Sequence, residues 1–156
     1  MKTFLVVSDS HGKNRTIAKI APLMAENDYL IHLGDGAGDF REAMRLYPEK
    51  TYILKGNCDV FANGLDECVV EAEGVRILCC HGHRYGVKSG LARLIARAKE
   101  LDCAVALFGH THRAVIEEAD GVLCVNPGAA GSYTEPSYCY LVVHEKKVTP
   151  TIVSAL

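Results

Sequence analysis

Five apolar runs in this chain, residues 4–7, 30–33, 52–54, 77–80 and 105–108, each lead within a few residues to a side chain at or near glycine that can bind a metal: Asp9, Asp35, Asn57, His81 and His110. Runs this short, rich in Val, Ile and Leu and bounded by turn residues, predict buried strands. In a sheet with helical crossovers, functional groups gather at the carboxyl ends of the strands. Five such ends can therefore deliver five ligands to one rim, where glycine lets backbone and ion approach closely.

The intervening sequence supplies the crossovers. Ile17, Ile20, Ala21 and Met24 recur at helical spacing, as do Phe40, Ala43, Met44 and Tyr47, and then Leu91, Leu94, Ile95, Ala98 and Leu101. Pro22 falls inside the first pattern, where it deletes a backbone hydrogen bond, so a kink or restart is expected there. Strands 68–71 and 75–80 flank a Glu73-Gly74 turn, and further short strands are expected at 114–117, 122–125, 138–143 and 148–153. Alternation followed by a strand-rich end predicts an α/β (α+β) chain, with one mixed sheet or two packed sheets carrying helices outside.

At 156 residues, with no linker-like tract, residues 1–156 are expected to form a single domain. The formal net charge is −2 and the basic residues are scattered, which argues against stable nucleic-acid binding and against a membrane surface. A small substrate fits better, and a homo-oligomer is compatible with this composition. The apolar run at the start is too short for a signal-peptide core or a membrane span, so a cytoplasmic location is expected. Of seven cysteines, Cys79, Cys80, Cys103, Cys124 and Cys139 lie in apolar runs and none forms a C-x-x-C pair. They are expected to pack as small hydrophobes, without disulfides or a zinc ribbon.

Taken singly, Asp9 or Asp35 would read as a helix cap or turn residue, and His81 or His110 as a structural histidine. Taken together with Asn57, and with His11 and His112 two residues from Asp9 and His110, they form an oxygen and imidazole set. That set suits Mn, Fe, Zn, Co or Ni better than Ca or a thiolate site. Seven ligands exceed what one open site needs, and a shared carboxylate could bridge two ions.

The ordered blocks Asp9-Ser-His11, Gly34-Asp35, Gly56-Asn57-Cys58-Asp59, His81-Gly82-His83 and Gly109-His110-Thr111-His112 resemble the calcineurin-like metallophosphoesterases, specifically their small single-domain bacterial and archaeal phosphodiesterase branch. Asn126-Pro127-Gly128 resembles a later loop of the same branch. The resemblance implies a four-layer αββα sandwich of two mixed β-sheets flanked by helices. It implies two divalent transition-metal ions, manganese foremost with nickel, cobalt, iron or zinc as alternatives. One would be held by Asp9, His11, Asp35 and His112, the other by Asp35, Asn57, His81 and His110. The implied reaction is attack on a small phosphoester by hydroxide held between the ions, with no protein nucleophile. Larger members of the family carry histidine where this chain has Cys58, so the source of a proton for the leaving group is open.

Asp59 could orient a ligand histidine or serve a turn, and His83 could touch substrate or sit hydrogen-bonded in its loop. Asp39 has capping-box-like spacing to Glu42, which places it outside the metal set. His32 and His144 read as structural or exposed. Arg84, Lys88 and Arg113 lie near motif ends and read as solvated charges with phosphate contact as the alternative. The competing function class is a weakly active or non-catalytic scaffold on the same fold, to which retromer-type relatives belong.

Overall fold

The structure, a computed structural model, describes residues 1–60 and 63–156. In β1 (Lys2–Val7), Phe4, Leu5, Val6 and Val7 are all fully buried, so neither face of the strand meets water. The same holds for Leu78, Cys79 and Cys80 in β5 (Val75–Cys80) and for every residue of β6 (Val105–Leu107). Strands apolar on both faces need a layer on each side.

Two five-stranded mixed sheets supply the inner layers. The first has the order β10 (Lys147–Ser154), β9 (Ser137–His144), β1, β2 (Tyr29–His32), β3 (Thr51–Ile53); β1, β2 and β3 run parallel, and β9 is antiparallel to both β1 and β10. The second has the order β4 (Glu67–Ala72), β5, β6, β8 (Val122–Asn126), β7 (Val115–Ala119), with β5, β6 and β8 parallel. Alternate residues divide between layers. Phe4, Val6, Ile77, Cys79, Val105 and Leu107 fill the core between the sheets. Leu5 and Val7 point outward against Ile20 and Met24 of α1 (Asn14–Met24) and Ala43 of α2 (Arg41–Leu46). On the far side, Leu78, Cys80 and Ala106 meet Leu94, Ile95 and Ala98 of α3 (Ala92–Glu100). The layers are therefore αββα, as the resemblance implies.

Helix α1 runs without a break through Pro22, two residues from its end, where one lost hydrogen bond is cheapest. The second helical pattern splits into a 3-10 turn, Ala37–Phe40, and the short α2. Asp39 does not cap that helix; its carboxylate accepts hydrogen bonds from Ser10 Oγ (2.6 Å) and the Gly12 N–H (2.8 Å). The five cysteines of the apolar runs are buried and free. Among the described residues no helix is long and apolar enough to cross a membrane.

Parallel strands from both sheets end at one edge of the sandwich. There the loops lace together: Asp9 N–H donates to Gly34 O, His11 N–H to Asp35 O, Gly109 N–H to His81 O, and Gly131 N–H to Asp9 O.

Candidate metal centre

The loops after β1, β2 and β6 hold five candidate ligands in an unusual backbone state. Asp9, His11, Asp35, His110 and His112 all have φ between 46° and 71°. Non-glycine residues adopt this left-handed region at a cost of about 1–3 kcal/mol and keep it where the surroundings impose it, commonly at functional sites.

Asp9 sits at the seam between the sheets. Its Oδ2 accepts hydrogen bonds from Ser8 Oγ (2.5 Å) and from the backbone N–H of His110 (3.0 Å), which belongs to the other sheet. Its Oδ1 is buried and, among the described residues, has no hydrogen-bond partner. Three imidazole nitrogens converge on that orphan oxygen: His112 Nε2 at 3.1 Å, His11 Nε2 at 3.7 Å and His81 Nε2 at 3.9 Å. A buried carboxylate oxygen left without a donor is costly unless a cation faces it.

Asp35 connects this group to a second one. Its Oδ1 accepts the Cys58 N–H at 2.8 Å, while Oδ2 lies 3.4 Å from His81 Nε2 and 3.9 Å from His11 Nε2. Burial alone would raise its carboxyl, yet the His81 and Cys58 contacts hold it well below the ordinary carboxylate range. His81 Nδ1 faces Leu33 O at 3.0 Å, and donation there leaves a lone pair on Nε2. That nitrogen meets Asn57 Oδ1 at 3.0 Å and His110 Nδ1 at 3.2 Å. Lone pairs thus converge on one point, and only a proton or a metal ion reconciles them. The protonation equilibrium shows the same demand: burial disfavours the His81 imidazolium, but Asp35 and Asp9 outweigh it and shift His81 upward. Burial and then His81 shift His110 downward. Asp9 with His11 and His112, and Asp35 with His81 and His110, form two sets whose ligand atoms lie within 4.8 Å of one another. The donor types, the orphan oxygen and the pointed lone pairs all fit divalent cations.

Glycine makes these approaches physically possible. A Cβ on Gly56 would stand 2.1 Å from Asp35 Oδ1, and one on Gly109 would stand 2.6 Å from Asp9 Oδ2.

The remaining candidates separate. Asp59 orients no histidine: its carboxylate accepts the N–H groups of Asp35 (2.7 Å), Gly56 (2.8 Å), Gly36 (3.0 Å) and Ala37 (3.2 Å), clamping the loops after β2 and β3 together. His83 lies on a 3-10 turn with its ring 5.4 Å from His81 and 6.1 Å from His110, and its buried Nδ1 has no partner. Burial, then His81 and Arg84, shift it downward. The exposed Cys58 thiol lies within 4.8 Å of the His11 and Asp35 ligand atoms. Desolvation and then Asp35 shift it upward. Arg84 pairs with Asp66 at 3.3 Å, whereas Lys88 and Arg113 line one cavity beside Thr111.

Sequence reasoning missed the supporting polar network. Gly34 N–H donates to His32 Nδ1 at 3.1 Å, so His32 Nε2 carries the proton and meets Ser10 Oγ at 2.8 Å. Ser10 in turn donates to Asp39, and burial pushes His32 down to about 4. Asn126 steadies the other sheet's loop, donating to Gly109 O at 3.1 Å and Thr111 Oγ1 at 3.0 Å. The Asn126-Pro127-Gly128 block was its one visible signal.

Residues 1–147 match the calcineurin-like phosphoesterase superfamily domain. The chain belongs to that family. Bacillus subtilis YsnB, named a probable metallophosphoesterase, is 39% identical over 127 residues, covering 80% of this chain and 73% of YsnB. A conserved Streptococcus pneumoniae protein, described as a predicted phosphoesterase, superposes with a TM-score of 0.83 at 25% identity over 99% of this chain and 90% of its own. Vps29 of Entamoeba histolytica, solved in complex with zinc, shares the fold with a TM-score of 0.77 over 99% of both chains at 18% identity. As a member of the calcineurin-like family, the chain is a metal-dependent phosphoesterase.

Proposed function

We propose that this phosphoesterase hydrolyses a small phosphodiester at a two-cation centre, with residues 1–156 acting as one catalytic domain. One observation carries the reading: Asp35 Oδ2 faces His81 Nε2 on one side and His11 Nε2 on the other. Asp9, His11, Asp35 and His112 would hold one ion, and Asp35, Asn57, His81 and His110 the second, with manganese favoured. When bound, such a pair supplies Lewis acidity, lowering the pKa of water and offsetting charge on phosphoryl oxygens.

The chain's own groups set the frame for that chemistry. Leu33 O fixes the His81 tautomer, Ser8 and the His110 N–H fix Asp9, and Asp59 holds the Asp35 backbone. Holding groups in place before reaction is what lets them act without reorganising. The Ser8 and Ser10 hydroxyls are committed to Asp9 and to Asp39. Neither is prepared as a nucleophile, which leaves that part to water.

A scaffold role is the second reading, favoured by the likeness to Vps29. Both readings meet one experiment: purification without chelator, metal analysis, and a screen of phosphodiesters, monoesters and cyclic nucleotides with Mn, Ni, Co, Zn and Mg. Two ions per chain and diester turnover are expected. Two bound ions without turnover of any ester would favour the scaffold, and one ion per chain would sink the shared-carboxylate centre.

A further inference from the structure

Two adjoining cavities share Pro136 and Leu156 as walls. The first, of 530 Å³, is lined by the candidate ligand His112 and by Arg113 and Glu135, whose charges offset. The second, of 340 Å³, is lined by Lys13, Arg15 and Lys19 and by no carboxylate side chain. Together they form a groove that reaches from the candidate ligand His112 to a cationic end lined by Lys13, Arg15 and Lys19. The loops that build it are tied to the centre, since Lys13 follows His11 by two residues and Gly131, two before Tyr133, donates its N–H to Asp9 O.

Tyr133 stands in this groove with 89% of its surface exposed. Lys13 Nζ lies 3.2 Å above the ring centroid, a cation–π contact that holds the ring while most of the residue stays exposed. Among the described residues, no carboxylate lies within ion-pair distance of Lys13 or Arg15. A held aromatic face beside uncompensated cations is the pairing that binds a base and its phosphate. A polyphosphate would use the cations and ignore the ring, and an acidic peptide would do the same.

We propose that the ester groups flanking the scissile phosphate are nucleosides, and that the groove takes one of them, its base stacked on Tyr133 and its outer phosphate on Lys13 and Arg15. The substrate class is then a short nucleotide diester. This rests on the phosphodiesterase reading above, and the test separates the two.

Binding of the 5′-phosphorylated adenylyl-(3′→5′)-adenosine dinucleotide is measured by calorimetry on the full chain with chelator present, so hydrolysis does not enter. Measurable binding is expected, weakened about tenfold in Tyr133→Ala and retained in Tyr133→Phe. Lys13→Ala should weaken it and flatten its salt dependence. No binding, equal affinity in wild type and Tyr133→Ala, or equally tight binding of inorganic tripolyphosphate or an acidic hexapeptide would overturn the proposal. In the metal-loaded enzyme, the ratio of kcat/KM for the dinucleotide to that for methyl p-nitrophenyl phosphate should fall about tenfold in Tyr133→Ala. Turnover of the aryl ester with an unmoved ratio would sink the groove and spare the phosphodiesterase; dinucleotide binding without turnover of either ester would do the reverse.

Discussion

At the scale of single residues, the two shared features are the Asp35 carboxylate and the left-handed backbone. Asp35 faces ligands of both groups, whereas His112 reaches only Asp9 and is half exposed. Asp35→Asn is therefore expected to lower the metal content of the purified protein from two ions to fewer than one, while His112→Ala keeps at least one; equal stoichiometry in the two variants would contradict this. His110, at φ 71°, stands with Nδ1 3.2 Å from His81 Nε2. Asparagine tolerates this φ better than histidine does and removes the facing imidazole. Without metal, His110→Asn should melt about 2–4 °C above wild type, corresponding to about 1 kcal/mol; an unchanged or lower melting point in chelator would show that the strain is not stored there. Asp9, Asp35, Asn57, His81 and His110 were legible because each ends an apolar run. The hydrogen bonds that join Ser10, Asp39 and His32 were not, because a network joining residues 29 positions apart leaves no local pattern.

At the scale of elements, the strand ends were readable and the loop supports were not. Continuous apolar runs placed β1 and β5, and helical periodicity placed α3, within a residue or two. The same periodicity gave one helix over 40–47, where the chain instead turns twice to bring Asp39 to Ser10. His32, at the end of β2, is the buried member of that network. Its folded value is about 4 against an ordinary value near 6.5. Between those values the unfolded chain takes up a proton that the folded chain refuses, so this contribution is present above about pH 6.5 and lost as pH falls toward 4. The loss is on the order of 3 kcal/mol for this fully buried ring. With chelator present, wild type should lose melting temperature across that window more steeply than His32→Gln; parallel slopes would show that His32 takes no part.

At the scale of the whole molecule, Asp9 and Asp35 come from one sheet and His81, His110 and His112 from the other. Cations bound there should stabilise the docking of the two sheets and favour the folded state by mass action. Added Mn is expected to raise the melting temperature in proportion to the logarithm of its free concentration, with a single transition; a rise confined to part of the chain, seen as two transitions, would mean the sheets unfold separately. The order of strands carries a further meaning for synthesis. β1 lies between β2 and β9, and β9 and β10 come from residues 137–154. Strand β1 thus waits for β9, which begins at Ser137, and Asp9 cannot be locked in its final position until residue 131 has emerged to bond its carbonyl. Every candidate ligand side chain is translated before the sandwich can close, so a nascent chain carries the whole candidate set while the sheet around β1 is still open.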